Sequence, residues 1–417
     1  MDNIDQGMVA WAENKRSIIV RKSSELSTDL PLNFLRQQAH YTTPASNYKL
    51  ANSAASQGLA PSRKMFAKYD IKPSDIVSTF GVPLAIVQEL YHNSNPHAPL
   101  VMIDGEDAQA LDDEVVVAGR KNAVNIFREA DWGHTLRFYR PSGLHLPFCV
   151  EDLITVLTQV GEAKSPEAYP VDGLIFPKLE HADEVSWVCN ILEKIETKLG
   201  LTPNRIKLQI LVESGWAVAN IADLTRRCLP RLTGIIFGIA DYAADLALPE
   251  IRFDHPMCDW ARAAVVNSAG AVGVPAIDAM TVNYPIADSN LSIADNRQRI
   301  LNRLKECYDD TVYGIEMGMK GKWVGHPAQL FVVMLAYQVH WSSVAMKTEI
   351  EKIKTYQKAV HEKIGATIID GVMSDRATDR HARVRLRESV AVGVTSAEEG
   401  IGLGVVTPSE VAHLSKT

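Results

Sequence analysis

Cysteine is scarce in this chain, and what there is forms no pattern. Cys149, Cys189, Cys228, Cys258 and Cys307 are five scattered residues in 417, with no C-x-x-C pair. That argues against a zinc framework or a disulfide scaffold and fits reduced thiols. Long apolar runs are missing as well. The longest, near residues 331–339, is too short to cross a bilayer and reads as a packed helix. Positive charge is not in surplus: 43 Lys and Arg stand against 50 Asp and Glu, a net charge of −7. This argues against a nucleic-acid surface. The basic stretch 376–387 is interleaved with Asp379 and apolar residues, as on a solvated helix face. The first residues, Met1-Asp-Asn-Ile-Asp-Gln6, are acidic and lack an apolar segment, so no signal peptide is expected and the expected location is cytoplasmic. There is no G-x-G-x-x-G after the first strand and no G-x-S-x-G.

What is present is an ordinary globular composition, 46% hydrophobic and 22% charged, with enough apolar material for a large core. Short β-branched runs alternate with helical periodicity. Strands are expected at 39–43, 100–103, 135–139, 173–176, 206–212, 234–238, 274–279 and 321–324, and helices at 112–130, 150–160, 182–199, 257–269 and 294–318. Strands alternating with helices in this way predict an α/β fold, a (β/α)8 TIM barrel; a doubly wound open sheet is the runner-up. Residues 1–37 read as an N-terminal extension with a short helix near 30–36. The barrel takes 38–329, with an insertion near 58–97, a stretch broken by Ser, Asn, Pro and Gly. Residues 330–417 form a C-terminal helical region with a strand-turn signal at Gly365–Gly371.

Residues that follow the strands of one barrel converge on one face. That face gathers Asp104, Glu106 and Asp107 after strand 2, Arg140 after strand 3, Lys178 after strand 4, Glu213 after strand 5 and Asp241 after strand 6. Asp278 lies in or just after strand 7 and His326 follows strand 8. Glu213 and Asp241 on neighbouring strands could hold a hard cation such as Mg²⁺, which takes one or two carboxylates and keeps its other positions for water and substrate oxygens. Alternatively, each caps a helix. Arginine offers a rigid fork for an enolate or a carboxylate. Lys178 as a Schiff-base lysine is the weaker option beside the acid pair.

Taken together, these motifs resemble the citrate lyase β-subunit/malyl-CoA lyase family of Mg²⁺-dependent carbon–carbon lyases, in the HpcH/HpaI aldolase superfamily. The resemblance runs from about residue 41 to 387. Asp104-Gly-Glu-Asp107-Ala, continuing to Asp112-Asp113, is similar to D-L-E-D-A/S-V-x-P-D-D. Asp131-Trp-Gly133 through Arg140 to Pro147-Phe148 resembles D-W-G…V-R-I-N-G…P-F, and Pro177-Lys178 the P-K after strand 4. Glu213-Ser-Gly resembles E-S/T-A, and Gly238-Ile-Ala-Asp241-Tyr-Ala-Ala-Asp245 resembles G-x-x-D-Y/F-A-A. Gly321-Lys-Trp-Val-Gly-His326-Pro-Ala-Gln329 is similar to G-K-W-x-I-H-P-x-Q. The segment Gly365-Ala to Met373-Ser-Asp375 resembles the C-terminal G-A…x-G-x-x-I/V-D.

The resemblance implies that Glu213 and Asp241 ligate Mg²⁺, with Mn²⁺ an alternative. Arg140 would stabilise an enolate, and Asp104 and Asp107 would orient metal-bound water. Asp375 would reach a neighbouring subunit's active site and move the α-proton, in a homo-oligomer expected to be a trimer or hexamer. His326 is read as structural. The implied substrate is a 3-hydroxyacyl-CoA of the malyl-CoA, methylmalyl-CoA or citramalyl-CoA type, with no nucleic acid or membrane partner. Several positions depart from the pattern. Gln38 stands where many relatives carry an arginine associated with the CoA phosphates, Ser142 after Pro141 replaces an asparagine, and Gly325 replaces an apolar residue. These leave the metal site intact and open a CoA-independent alternative, an aldolase acting on a hydroxy-keto acid. A non-catalytic binding relative is the third reading.

Overall fold

The computed structural model describes residues 6–26, 30–93, 97–162, 164–369 and 372–414. Eight parallel strands close into one barrel in sequence order: β1 (Ala39–Pro44), β2 (Leu100–Asp104), β3 (Leu136–Arg140), β4 (Gly173–Phe176), β5 (Lys207–Val212), β6 (Leu232–Phe237), β7 (Ala276–Asp278) and β8 (Gly321–Val324). β1 pairs with β8 through Ala39 and Lys322, which removes every free edge. The expected TIM barrel is therefore the observed one.

Alternation along the strands sorts the side chains. Leu100 and Met102, Leu136 and Phe138, Ile175, Leu211, Ile236 and Ile277 fill the barrel interior. Val101, Ile103, Tyr139, Leu174, Phe176 and Ile210 face outward into the larger core between strands and helices. The same period of two carries Asp104 and Arg140 inward at the carboxyl ends of their strands.

Helices Asp113–Glu129, Cys149–Gln159, Ala182–Leu199, Pro256–Val272 and Ile293–Glu316 occupy the predicted positions to within a few residues. Asp112 shows why the first of these begins where it does: its carboxylate accepts from the Glu114 and Val115 amides. The long β1–β2 connection is built from four short helices, Tyr48–Gln57, Ala60–Lys68, Pro73–Phe80 and Leu84–His92. They pack on β1 and on the helices after β2, β7 and β8 rather than forming a separate core.

Residues Gln6–Ser24 form a helix that the sequence reading does not anticipate. Its apolar residues, among them Trp11, Ile18, Ile19 and Val20, are exposed and spread over more than half of its circumference, so no stripe marks it. Leu30 and Phe34 then close the amino-terminal end of the barrel, the floor. The C-terminal region packs at this same end. Helix Arg376–Ala391 lies on the 3-10 turn Leu32–Leu35, Arg36 Nε donates to Ala391 O at 2.7 Å, and Lys320 pairs with Glu388 at 3.1 Å. A two-stranded hairpin, β9 (Thr367–Ile369) and β10 (Val372–Ser374), precedes that helix. The turn expected at Asp370-Gly371 falls outside the described residues.

Candidate active site

The carboxyl ends of the strands open onto a cavity of about 520 Å³, lined by Asp104, Asp107, Arg140, Glu213 and Asp241 on its charged side. Asp104 and Arg140 are register partners across β2 and β3. Arg140 Nε and Nη2 donate to the two Asp104 oxygens at 2.7 and 2.6 Å, and the Glu106 and Ala108 amides donate to the same carboxylate at 2.9 and 3.1 Å. Four protein donors thus take up the four lone-pair directions of Asp104. Its carboxylate is spent on holding Arg140, which differs from the expectation that it orients a metal-bound water. Burial lowers the Arg140 pKa, but Asp104, Glu106 and Asp107 more than offset it, so the guanidinium stays charged. Its plane is also covered by the Trp323 ring, 5.1 Å away.

Glu106 lies fully buried beneath this pair, 3.2 Å from Arg140 Nη1 and 3.1 Å from Lys178 Nζ. Burial pushes its carboxyl up to about 7, with Arg140 and Lys178 opposing and Asp107 and Asp104 reinforcing. Lys178 is the hub of the charged side. Its Nζ contacts Glu106, Asp107 at 3.3 Å and Asp241 at 3.7 Å, and its backbone amide donates to Glu213 Oε1 at 2.8 Å. To do both it adopts φ +52, a conformation unusual for a side-chain-bearing residue and common at functional sites. Its acid neighbours raise its pKa against the effect of burial, which works against a Schiff-base nucleophile.

Glu213 and Asp241 face one another across neighbouring strands. Glu213 is buried and Asp241, in the first turn of helix Ile239–Asp245, is partly exposed. The close approach depends on Gly238, where a Cβ would stand 2.7 Å from that of Glu213. Asp245 links the two loops by accepting from Gly215 N at 2.7 Å. Burial, then the charges of Asp241 and Glu106, hold the Glu213 carboxyl well above its usual range. Two carboxylates that repel at a buried site are what a divalent cation would neutralise. Among the described residues no group of three or more His, Cys, Asp or Glu forms a ready-made metal cage. The two carboxylates Glu213 and Asp241 on the cavity are a donor set that suits Mg²⁺, which takes few protein carboxylates and leaves positions for substrate.

The structure separates other expected residues from this cavity. Asp278 points outward and is buried in a charge cluster with Arg262 and Lys322, at 2.7 and 3.6 Å. His326 caps helix Pro327–His340, its Nδ1 accepting from Ala328 N. Ser142 is buried behind the loop after β3, its amide donating to Asp152. Gln38 sits on the floor, bonded to Leu35 O, with β1 rising roughly 20 Å between it and the cavity mouth. It therefore does not face the mouth of its own barrel. Asp375 does not line the cavity either. It caps helix Arg376–Ala391, accepting from the Ala377 and Thr378 amides, and those bonds hold its pKa below the usual carboxylate value.

A family profile described as "Domain of unknown function (DUF6986)" matches residues 151–417. The chain belongs to the DUF6986 family. Its likeness to curated relatives also supports the resemblance to the citrate lyase β-like HpcH/HpaI superfamily. One such relative, an L-malyl-CoA/beta-methylmalyl-CoA lyase of Rhodobacter capsulatus, is 27% identical over 309 residues, 70% of this chain and 87% of that protein. Among solved structures, a citrate lyase from Burkholderia xenovorans LB400 superposes with a TM-score of 0.60 at 18% identity, covering 91% of this chain and 98% of that one. CitE from Mycobacterium tuberculosis, solved with magnesium, acetoacetate and coenzyme A, gives a TM-score of 0.51 at 17% identity over 85% of this DUF6986 chain and 98% of its own. At these identities the two structures speak to the fold alone. Among the described residues of this family member, no helix is long and apolar enough to cross a membrane.

Proposed function

We propose that this DUF6986 protein is a Mg²⁺-dependent carbon–carbon lyase that cleaves a 3-hydroxyacyl-CoA of the malyl-CoA type to an acyl-CoA and a 2-oxo acid. The observation that carries the reading is the joint presence, at one barrel mouth, of the forked Asp104–Arg140 pair and the Glu213–Asp241 carboxylates. The malyl-CoA lyase relative supports the choice of substrate class.

Glu213 and Asp241 would hold the metal. When bound, Mg²⁺ supplies a chelating centre for a carboxylate and the adjacent hydroxyl and lowers the hydroxyl pKa. Asp107, the acid of the β2 loop that is partly exposed to the cavity, accepts the hydroxyl proton. The bond between the hydroxyl-bearing carbon and the neighbouring α-carbon then breaks, and its electron pair becomes the acyl enolate. Arg140, held by Asp104 at both oxygens and by Glu106 at Nη1, meets the enolate oxygen with a charge that needs no reorganisation. Lys178 keeps the acids at fixed spacing. A proton from solvent, relayed by Asp375 of a neighbouring copy, returns to the enolate carbon; the Asp375 of the same chain does not line the cavity and its helix packs at the barrel floor. This requires a homo-oligomer.

The test is a mass-spectrometric screen of malyl-CoA, methylmalyl-CoA, citramalyl-CoA and free 4-hydroxy-2-keto acids, with and without Mg²⁺. Metal-dependent release of a 2-oxo acid from a CoA substrate is the expected result. Cleavage confined to the free acids would move the reading to the CoA-independent aldolase.

A further inference from the structure

The cavity mouth has two unlike arcs. Strands β2 to β6 supply its charged groups, whereas Met280, Val282 and Trp323 give the β7–β8 side an apolar wall. The Tyr284 hydroxyl interrupts that wall. It donates to Met280 Sδ at 3.0 Å, and a thioether is a weak acceptor. Tyr284 is half-buried, and a tyrosine hydroxyl in such a place ordinarily holds a stronger partner.

The room for this phenol comes from residue 325. A Cβ on Gly325 would overlap the Tyr284 hydroxyl oxygen and come within 2.7 Å of both Met280 Sδ and Tyr284 Cζ. Glycine at 325 and tyrosine at 284 are thus complementary halves of one wall. The phenol is also held from behind. Its ring packs on His326, centroids 6.0 Å apart. Gln329 Nε2 donates to Thr281 O at 2.8 Å, and Thr281 Oγ1 donates to Asp310 at 2.6 Å. Lys322 Nζ donates to Asp310 at 2.8 Å and to Ala279 O at 2.7 Å. The loop after β7 and the turn after β8 are therefore one tied unit, and a hydroxyl set on such a support is preorganised for a ligand.

We infer that Tyr284 is a specificity-determining residue: its hydroxyl leaves Met280 and donates to a carbonyl or carboxylate oxygen on the part of the substrate that lies against β7 and β8. The substrate class is an acyl chain that is apolar on this side except for one accepting oxygen. The inference rests on the lyase reading and deepens it.

The experiment compares wild type, Tyr284→Phe, Gly325→Ala and the double variant on the substrate panel above, with Mg²⁺ affinity measured by calorimetry in parallel. Tyr284→Phe should raise KM at least ten-fold for the cleaved substrate, with a smaller change in kcat and unaltered Mg²⁺ affinity. Gly325→Ala should do the same by displacing the phenol, and should cost less when Tyr284 is already Phe. Unchanged KM in Tyr284→Phe overturns the inference while leaving wild-type turnover, and so the lyase reading, intact. A parallel loss of Mg²⁺ affinity or thermal stability also overturns it, because the role would then be structural. If wild type cleaves nothing in the panel, the lyase reading fails and takes this inference with it.

Discussion

Asp104 and Arg140 stand on one rung of the barrel, paired in register across β2 and β3 and joined by two charge-assisted hydrogen bonds of 2.7 and 2.6 Å. Both side chains are buried. The pair is the rigid part of the candidate site, because two strands set the spacing and the fork geometry sets the orientation. Asp104→Asn keeps the size of the side chain but loses the charge and one acceptor. Turnover should fall by about 10²-fold, the scale of losing one preorganised stabilising contact. Arg140→Lys should fall as far, since an ammonium cannot span both oxygens. Steady-state kinetics of the two variants check this, and a loss below five-fold in either would count against the fork.

Metal dependence is the second expectation. Asp241→Ala removes the partly exposed partner of the carboxylate pair, and Glu213→Gln removes the charge of the buried one. Calorimetry with Mg²⁺ should detect binding to the wild-type protein and none, or binding weakened more than 100-fold, in either variant. Retained affinity in both would place the metal elsewhere.

The helix-cap geometry of Asp375 makes its proposed role a matter of assembly. Chains carrying Asp241→Ala and chains carrying Asp375→Ala should each be inactive. Co-assembled, they should recover part of the wild-type rate, because a mixed oligomer can contain one intact site. If mixed assembly is verified by native mass spectrometry and no activity returns, Asp375 does not act between subunits.

The buried histidines should destabilise the fold in mild acid, against the opposite effect of Glu106 and Glu213, whose raised carboxyls take up protons in the folded chain. Burial pushes His40, inside the barrel, down to about 3 from its ordinary 6.5, and pushes His326 and His340 down to about 4, with Arg385 and Lys320 adding to the effect at His340. A histidine whose pKa is lower in the folded chain binds its proton more readily when unfolded. Its contribution is therefore complete above about pH 6.5 and is lost as pH falls toward the folded value. For His40 alone the loss at pH 5 is about 2 kcal/mol. Thermal melts between pH 7.5 and 5 should show Tm shifting less toward destabilisation in His40→Gln than in wild type as the pH falls. Parallel Tm profiles for wild type and His40→Gln across this window would exclude a buried neutral His40.

The charge cluster outside the barrel gives a stability test independent of function. Asp278 is buried against Arg262 at 2.7 Å and Lys322 at 3.6 Å. Asp278→Ala leaves two buried cations with one acid partner fewer, which should cost about 3–5 kcal/mol. Chemical denaturation would measure it, and a change under 1 kcal/mol would show that Asp310 alone balances both cations.

Much of this protein is legible in its sequence because local pattern and global fold agree. A parallel barrel needs eight short β-branched runs separated by amphipathic helices, and both periods are written in the chain. The order of Asp104, Arg140, Lys178, Glu213 and Asp241 after successive strands then implies one shared face, since all strands of such a barrel point the same way. What sequence could not decide depends on side-chain direction and on which surfaces meet. Asp278 follows its strand as the other acids do, but on a three-residue strand a shift of one position turns it from the cavity to the helix layer. Asp104 shares a motif with Asp107, yet only the register with β3 shows that four donors consume it. Gln38 stands at the start of β1, and only the closed barrel shows that this is the end opposite the cavity. Lys178 as hub, the buried Glu106 and the reciprocal fit of Tyr284 to Gly325 arise from residues far apart in the chain, and only closure of the barrel brings them into contact.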